Sequence, residues 1–325
     1  MKSLSPSEQK SRFALRVAGC RLNKALIGPE IVHLHINNHC NLRCRYCSNH
    51  SPECPHHNAE RLDMTLAKFR EILRDCLELR VDTILISGDG EPTLHPEFTA
   101  MMRLLRKQPI NVTLLTNATY PETLRRDIAQ TADTVIINLS APNAAAYKKI
   151  TGKNLFRRVV ANIKFLVACR DSHRRPLSIM ISAVHNSLNA ALIDELKVLA
   201  KTLGVGIVVK PLSVNAFNTK VRLPAAQAAT PGHPPPAPCL NGWFNFSAIA
   251  NGDVSLCCHL SSLKVGNLNA ASFKKIWLSK AFNNLRLAAK SGTLQRRHHS
   301  CRDCLSPSQY SRIGKLAGIG VPDDR

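Results

Sequence analysis

Cys40, Cys44 and Cys47 lie in one short stretch, Cys-Asn-Leu-Arg-Cys-Arg-Tyr-Cys, directly after the apolar run Ile31 to Ile36. Such a run reads as a buried strand. It puts the three thiols in the loop leaving the strand's carboxyl end, where open α/β sheets carry their chemistry. Thiolates this close together hold a soft metal or an iron–sulfur cluster. A cubane has four irons, so three local ligands leave one iron open to an exogenous molecule. The alternative is a closed zinc site, for which Cys54, His56 or His57 would supply the fourth ligand.

Cys239, Cys257, Cys301 and Cys304 form a second set near the other end of the chain. Asn251-Gly252 between two short alternating runs signals a hairpin that would return Cys257 to the side of Cys239. Cys301-Arg-Asp-Cys304 presents two thiolates to one centre, so four ligands close the site; a structural zinc ribbon is the alternative. Cys258 is a spare beside Cys257, open to three readings: a ligand by slippage, a core residue or a hydrogen-atom donor.

The elements that must position these residues alternate strand and helix six times. Strands are expected at 31–36, 83–87, 112–116, 134–139, 177–183 and 205–209, with helices between them. This order implies parallel strands with helical crossovers; patterning alone admits a partial barrel or a doubly wound sheet. Strand two ends in Ser87-Gly-Asp-Gly-Glu-Pro92, whose glycines let backbone approach a ligand or simply make a tight turn. Asn117 and Ser140 end the third and fourth strands, as contacts for a ligand or as turn and cap residues. His185 and Lys210 follow the fifth and sixth; with Glu97 they are candidates for a base, surface roles being the alternative.

Residues 1–28 read as a leader, with Leu15, Val17, Leu22 and Leu26 packing a short helix on the end of the sheet. Residues 29–212 form the core domain, 213–238 a Pro- and Ala-rich extended or disordered linker, and 239–325 a small cysteine-bearing domain with its tail.

Twelve cysteines with no secretory signal point to metal ligation in the cytoplasm rather than to disulfides. No apolar run is long enough to span a membrane. The net charge of +22 is spread along the chain without stacking aromatics, so no nucleic acid is expected as partner. An acidic electron donor suits such a surface.

Cys40-x3-Cys44-x-Tyr46-Cys47 resembles the signature of the radical S-adenosylmethionine (SAM) enzymes, and Asp89-Gly90-Glu91-Pro92 resembles their Gly-Gly-Glu-Pro motif with Asp in place of the first glycine. The resemblance implies a partial (β/α)6 TIM-like barrel. It implies a 4Fe–4S cluster on Cys40, Cys44 and Cys47, and SAM on the open iron beside Tyr46, Asp89, Gly90, Glu91, Asn117 and Ser140. The later cysteines, with Val265-Gly-Asn-Leu268 and Ile276-Trp277, resemble the twitch form of the SPASM domain. That implies a second, closed 4Fe–4S cluster on Cys239, Cys257, Cys301 and Cys304.

The family produces a 5′-deoxyadenosyl radical that abstracts hydrogen from a substrate. Its twitch dehydrogenases oxidise an alcohol carbon and pass an electron to the auxiliary cluster; Lys210 or His185 would be the base here. Peptide maturation or epimerisation, with Cys258 or Cys54 returning hydrogen, are the other activities the resemblance allows. A zinc-stapled binding protein is the non-enzymatic reading. The expected partners are a reducing flavodoxin or ferredoxin and a small-molecule or peptide substrate.

Overall fold

The computed structural model describes residues 5–54, 60–172, 176–212, 221, 238–258, 263–298, 301, 304 and 316. The expected linker, apart from Val221 and Pro238, lies outside the described residues, as do His56 and His57.

The alternating apolar runs become six parallel strands: β1 (Ile31–His35), β2 (Thr83–Ser87), β3 (Asn111–Thr116), β4 (Thr134–Asn138), β5 (Ser178–His185) and β6 (Gly206–Pro211). Each pairs with its successor in the chain, so the order runs β1 to β6 without reversal. A doubly wound sheet would reverse at a switch point. The consecutive order settles the architecture as a barrel-type winding. The strand order ends at β6 without returning to β1, so the barrel is partial.

One face of the sheet is dry. Val32, Leu34, Ile84, Ile86, Val112, Leu114, Val135 and Ile137 are all fully buried, and each such side chain contributes about 1.5–3 kcal/mol. Residues one step out of phase, among them Ile31, His33, His35, Leu85 and Ile136, are only half-buried and line the inner face. The crossovers are α2 (Leu66–Glu78), α3 (Phe98–Arg106), α4 (Glu122–Thr131), α5 (Ala144–Thr151), α6 (Phe156–Ser172) and α7 (Ile193–Thr202), after the N-terminal α1 (Pro6–Leu22). Thr65 caps α2 and Asn143 caps α5 through side-chain oxygens that accept from Lys68 N–H and Ala146 N–H.

Helix α1 does pack on the end of the sheet: Val17 is buried as expected, in a cluster with Trp243 and Phe244, but the grip on the sheet itself runs through arginines. Leu22 and Leu26 are 59% and 40% exposed. Arg12 and Arg16 are buried and both reach Asp82, at 3.1 and 2.6 Å, while Arg16 also donates to the carbonyls of Gly28 and Pro29.

The cysteine-bearing C-terminal segment continues the same sheet. β7 (Asn245–Ala248) lies parallel to β1 on the side opposite β2, and β8 (Asp253–Ser255) and β9 (Gly266–Asn267) follow antiparallel. The β7–β8 turn uses Asn251-Gly252, with Gly252 at φ +88°, a left-handed angle that glycine adopts without strain. Phe246 on β7 packs against Phe273, Trp277 and Phe282, with ring centroids 4.4–6.3 Å apart. Arg286 lies over Trp277 and Phe282 and donates to the Gly242 and Trp277 carbonyls. Among the described residues, no helix is long and apolar enough to cross a membrane.

Candidate metal centre

The loop after β1 carries Cys40, Cys44 and Cys47, and the Gly-rich loop after β2 is laced to its start. Glu91 N–H donates to the His39 carbonyl at 2.8 Å, Gly90 N–H to the Asn37 carbonyl at 3.4 Å, and Asn37 Nδ2 to the Glu91 carbonyl at 2.8 Å. The two loops touch so closely that a Cβ at Gly90 would lie 1.9 Å from the His39 carbonyl oxygen. Close backbone approach is therefore what glycine supplies here. The Asp that replaces the motif's first glycine needs no unusual backbone: Asp89 is not among the described positive-φ residues. Its carbonyl accepts from His50 Nε2 at 2.8 Å and Asn49 Nδ2 at 3.3 Å.

The three thiols lie together, half-buried. Burial first, then the Glu91 carboxylate, pushes the Cys40 thiol up to about 12. Burial, then the neighbouring thiols Cys47 and Cys40, drives Cys44 well above its ordinary value, and burial also raises Cys47. N–H groups are aimed at the sulfurs: Leu42 at Cys40 (3.4 Å), and Asn49 and His50 at Cys47 (3.4 and 3.3 Å). A cationic iron cluster supplies the positive charge these buried sulfurs lack, and N–H···S bonds are the contacts that stabilise and tune such a cluster. Among the described residues, no three His, Cys, Asp or Glu side chains meet around one ion. A cubane, which places each thiolate on a different iron, does not need them to. These residues fit a cluster better than mononuclear zinc.

The residues expected around SAM are drawn to this loop. Asn117 donates through Nδ2 to Asn41 Oδ1 at 2.9 Å and stands 3.9 Å from Cys40 Sγ. Tyr46 Oη and Ser140 Oγ are 3.2 Å apart, and Ser140 Oγ accepts from Val184 N–H, tying the cluster loop to β4 and β5. Glu91 spends both carboxylate oxygens within the protein. It is 2% exposed and its two oxygens accept from Thr93 N–H, Thr93 Oγ1, Thr116 Oγ1 and Asn117 N–H, at 2.6–3.2 Å. Burial raises its pKa, and the four donors pull the other way. Glu91 braces the ends of β2 and β3.

The base candidates separate. Lys210 pairs in register with Val184 and shares the inner face, but it is exposed. His185 has the parity of Ile181 and Ala183, which puts it on the helix-covered face. Glu97 accepts from Leu66 N–H at the start of α2. The sequence reading missed His35. On β1 it faces inward one step from the cluster loop, and its Nδ1 is 2.9 Å from Asp89 Oδ1. A carboxylate only accepts, so Nδ1 carries a proton, and in the neutral ring Nε2 is then the acceptor. Nε2 is buried without a partner. The available signal was the spacing of His33 and His35, two polar residues on one face of an otherwise apolar strand.

The second thiol set also assembles. Cys257 is buried with Leu256, Ala289 and Leu294, and Cys239 and Cys301 pack on the same cluster. Burial, then Cys304 and Cys301, pushes Cys239 up to about 12, and burial, then Cys304, pushes Cys301 up to about 11. Cys258 is exposed and outside this cluster, so slippage from Cys257 to Cys258 has no support in the packing.

A one-sided parallel α/β barrel with a three-thiol loop at the carboxyl end of its first strand, and a four-thiol unit on the same sheet, defines an iron–sulfur protein built for two clusters. The description Radical SAM superfamily matches residues 34–171, and Iron-sulfur cluster-binding domain (SPASM) matches residues 239–305. The chain belongs to the radical SAM superfamily, with a C-terminal SPASM domain, and its cofactors are SAM and 4Fe–4S clusters.

The S-adenosylmethionine-dependent nucleotide dehydratase of Selenomonas ruminantium is 27% identical over 54% of this chain and 62% of its own length. The GTP 3',8-cyclase of Pectobacterium atrosepticum is 29% identical over 42% of each. The chain thus spans less than two thirds of these relatives. Streptococcus suis SuiB bound to S-adenosylmethionine shares the fold at TM-score 0.66 and 17% identity, over 88% of this chain and 74% of that one.

Proposed function

We propose that this radical SAM protein carries out a two-electron oxidation of an alcohol carbon. Cys40, Cys44 and Cys47 hold the SAM-binding cluster, and Cys239, Cys257, Cys301 and Cys304 hold an auxiliary one. When bound, the first cluster and SAM supply a radical that removes a carbon-bound hydrogen atom, and the auxiliary cluster supplies an acceptor for one electron. His35 takes the hydroxyl proton at Nε2, with Asp89 fixing the ring and the tautomer. Loss of hydrogen atom, proton and electron leaves a ketone or aldehyde. Asn117, Tyr46 and Ser140 hold the cluster loop against the ends of β3, β4 and β5, where SAM would lie across the strand ends.

The observation that carries this reading is the packing of Cys239, Cys257 and Cys301 on one cluster, with Cys304 near enough to raise Cys239 and Cys301, beside the strands that pair with β1. A closed cluster has no open iron for substrate, so its chemistry is electron transfer. The dehydratase and cyclase relatives favour a nucleotide as a second substrate class, with a redox-neutral outcome.

Anaerobic reconstitution tests the reading. About eight irons per chain are expected, and about four in the C40A/C44A/C47A variant, since each cubane holds four. Dithionite should drive 5′-deoxyadenosine formation in the wild type alone. With polyols, amino sugars and nucleosides as candidate substrates, one carbonyl product per deoxyadenosine supports oxidation. A product at the substrate's own oxidation level overturns it. Stoichiometric zinc without deoxyadenosine overturns the cluster assignments.

A further inference from the structure

Arg43 and Arg45 alternate with the cluster-loop thiols and are exposed, whereas those thiols are half-buried. Their N–H groups donate to the carbonyls of Thr151 and Ile150, at 3.0 and 2.9 Å, so the loop runs along the last turn of α5. That helix turns Tyr147 and Ile150 into the core and leaves Lys148 and Lys149 in solvent. The four cations line one cavity of about 520 Å³, with Pro52 and Gly152 in its wall. Among the described residues, Arg45, Lys148 and Lys149 have no acidic partner. Like charges held this close repel one another until an acidic surface meets them.

We propose that this cleft docks an acidic one-electron carrier protein that reduces the cluster; this rests on the reading of Cys40, Cys44 and Cys47 as its ligands. The cleft is built from the exposed side of the very loop whose buried side holds the thiols. Arg43 and Arg45 each adjoin Cys44, and neighbouring Cα atoms are about 3.8 Å apart, so a docked carrier meets a short path to the cluster. The cations are all exposed and spread over two elements, which suits a broad protein face better than a small anion. One electron passes from the carrier's reduced cofactor to the cluster; no bond or proton changes hands.

The test uses flavodoxin hydroquinone as probe and the K148E/K149E variant, whose changes lie on α5 and outside the cluster loop. Flavodoxin binding to the wild type should weaken as salt rises, and the variant should bind at least about tenfold more weakly, as expected for charge reversal at a complementary interface. Flavodoxin-driven deoxyadenosine formation should fall in parallel, while dithionite-driven formation stays at the wild-type rate. The K164E/K201E variant, with the same change of net charge elsewhere, should match the wild type in both. Equal flavodoxin binding by wild type and K148E/K149E overturns the docking proposal, as does an equal loss in K164E/K201E. Failure of dithionite to drive SAM cleavage in the wild type overturns instead the cluster reading, while the binding comparison still decides the docking face.

Discussion

Replacing Glu91 separates two opposed effects at one buried carboxylate. Burial makes the charge costly, and if that cost ruled, a neutral side chain would be tolerated or would stabilise. Four donors converge on the carboxylate, and if they rule, losing an acceptor is costly. In E91A the Thr93 and Thr116 hydroxyls can rotate to other acceptors, but the Thr93 and Asn117 N–H groups cannot. Two stranded buried donors cost about 1–3 kcal/mol each, so about 2–6 kcal/mol together. At roughly 2 °C per kcal/mol for a large chain, the melting temperature falls by about 4–12 °C. E91Q keeps one oxygen but turns an amide N–H2 towards donors, so it should fall between E91A and the wild type. Thermal melting of the apo-protein measures the cost, and iron content after reconstitution reports the damage that a displaced Asn117 does beside Cys40. An E91Q protein that melts at or above the wild type refutes the reasoning: burial, not the donors, would then dominate.

G90A should separate the two loops, because its Cβ would fall 1.9 Å from a backbone oxygen that no rotamer change can move. Iron loading should drop to the auxiliary share of about half, each site holding one cubane; full loading counts against the close approach. H35Q should lower product formation by about 10²–10⁴ while SAM cleavage continues, as for loss of a general base, and unchanged product formation removes His35 from that role. D82A strands the buried guanidinium of Arg16 beside that of Arg12 and should cost about 3–5 kcal/mol, read by urea denaturation. A cost near zero would mean that the Gly28 and Pro29 carbonyls alone satisfy Arg16.

The strands were legible as short apolar runs ending in polar or glycine residues, and α2, α3 and α7 by their helical spacing. The first three thiols were legible because their spacing is local. Helix α5 was not singled out in the sequence, although Asn143, the alanine run and Gly152 mark its start, body and end. What could not be read were the relations between distant segments. Nothing in Asn245–Ala248 says that it will lie beside β1, because backbone pairing is blind to side-chain type; the register is fixed by Phe246 entering an aromatic cluster made by helices further along the chain. The leader's grip was hidden for a similar reason. Its apolar residues are the anchors the sequence offers, and the arginines become anchors only because Asp82, seventy residues away from Arg12, lies beneath them.

These relations converge on β1. Its carboxyl end releases the three-thiol loop, its inner face carries His35, and its two edges carry β2 with the glycine loop and β7 with the four-thiol unit. His33 on β1 is 3.1 Å from Asn245 on β7, while His35 on β1 holds Asp89 from the β2 loop. Trp277, from the C-terminal unit, donates to the Ile27 carbonyl just before β1, and Lys290 reaches the Cys20 carbonyl at the end of α1. The C-terminal unit is therefore bonded into the same strand that positions the first thiol set. A displacement of β7 cannot be absorbed by a flexible hinge between them, since the ladder between β1 and β7 is continuous over four residue pairs. The fold thus fixes the two thiol sets relative to one another through hydrogen-bonded backbone, as the proposed electron transfer between them requires.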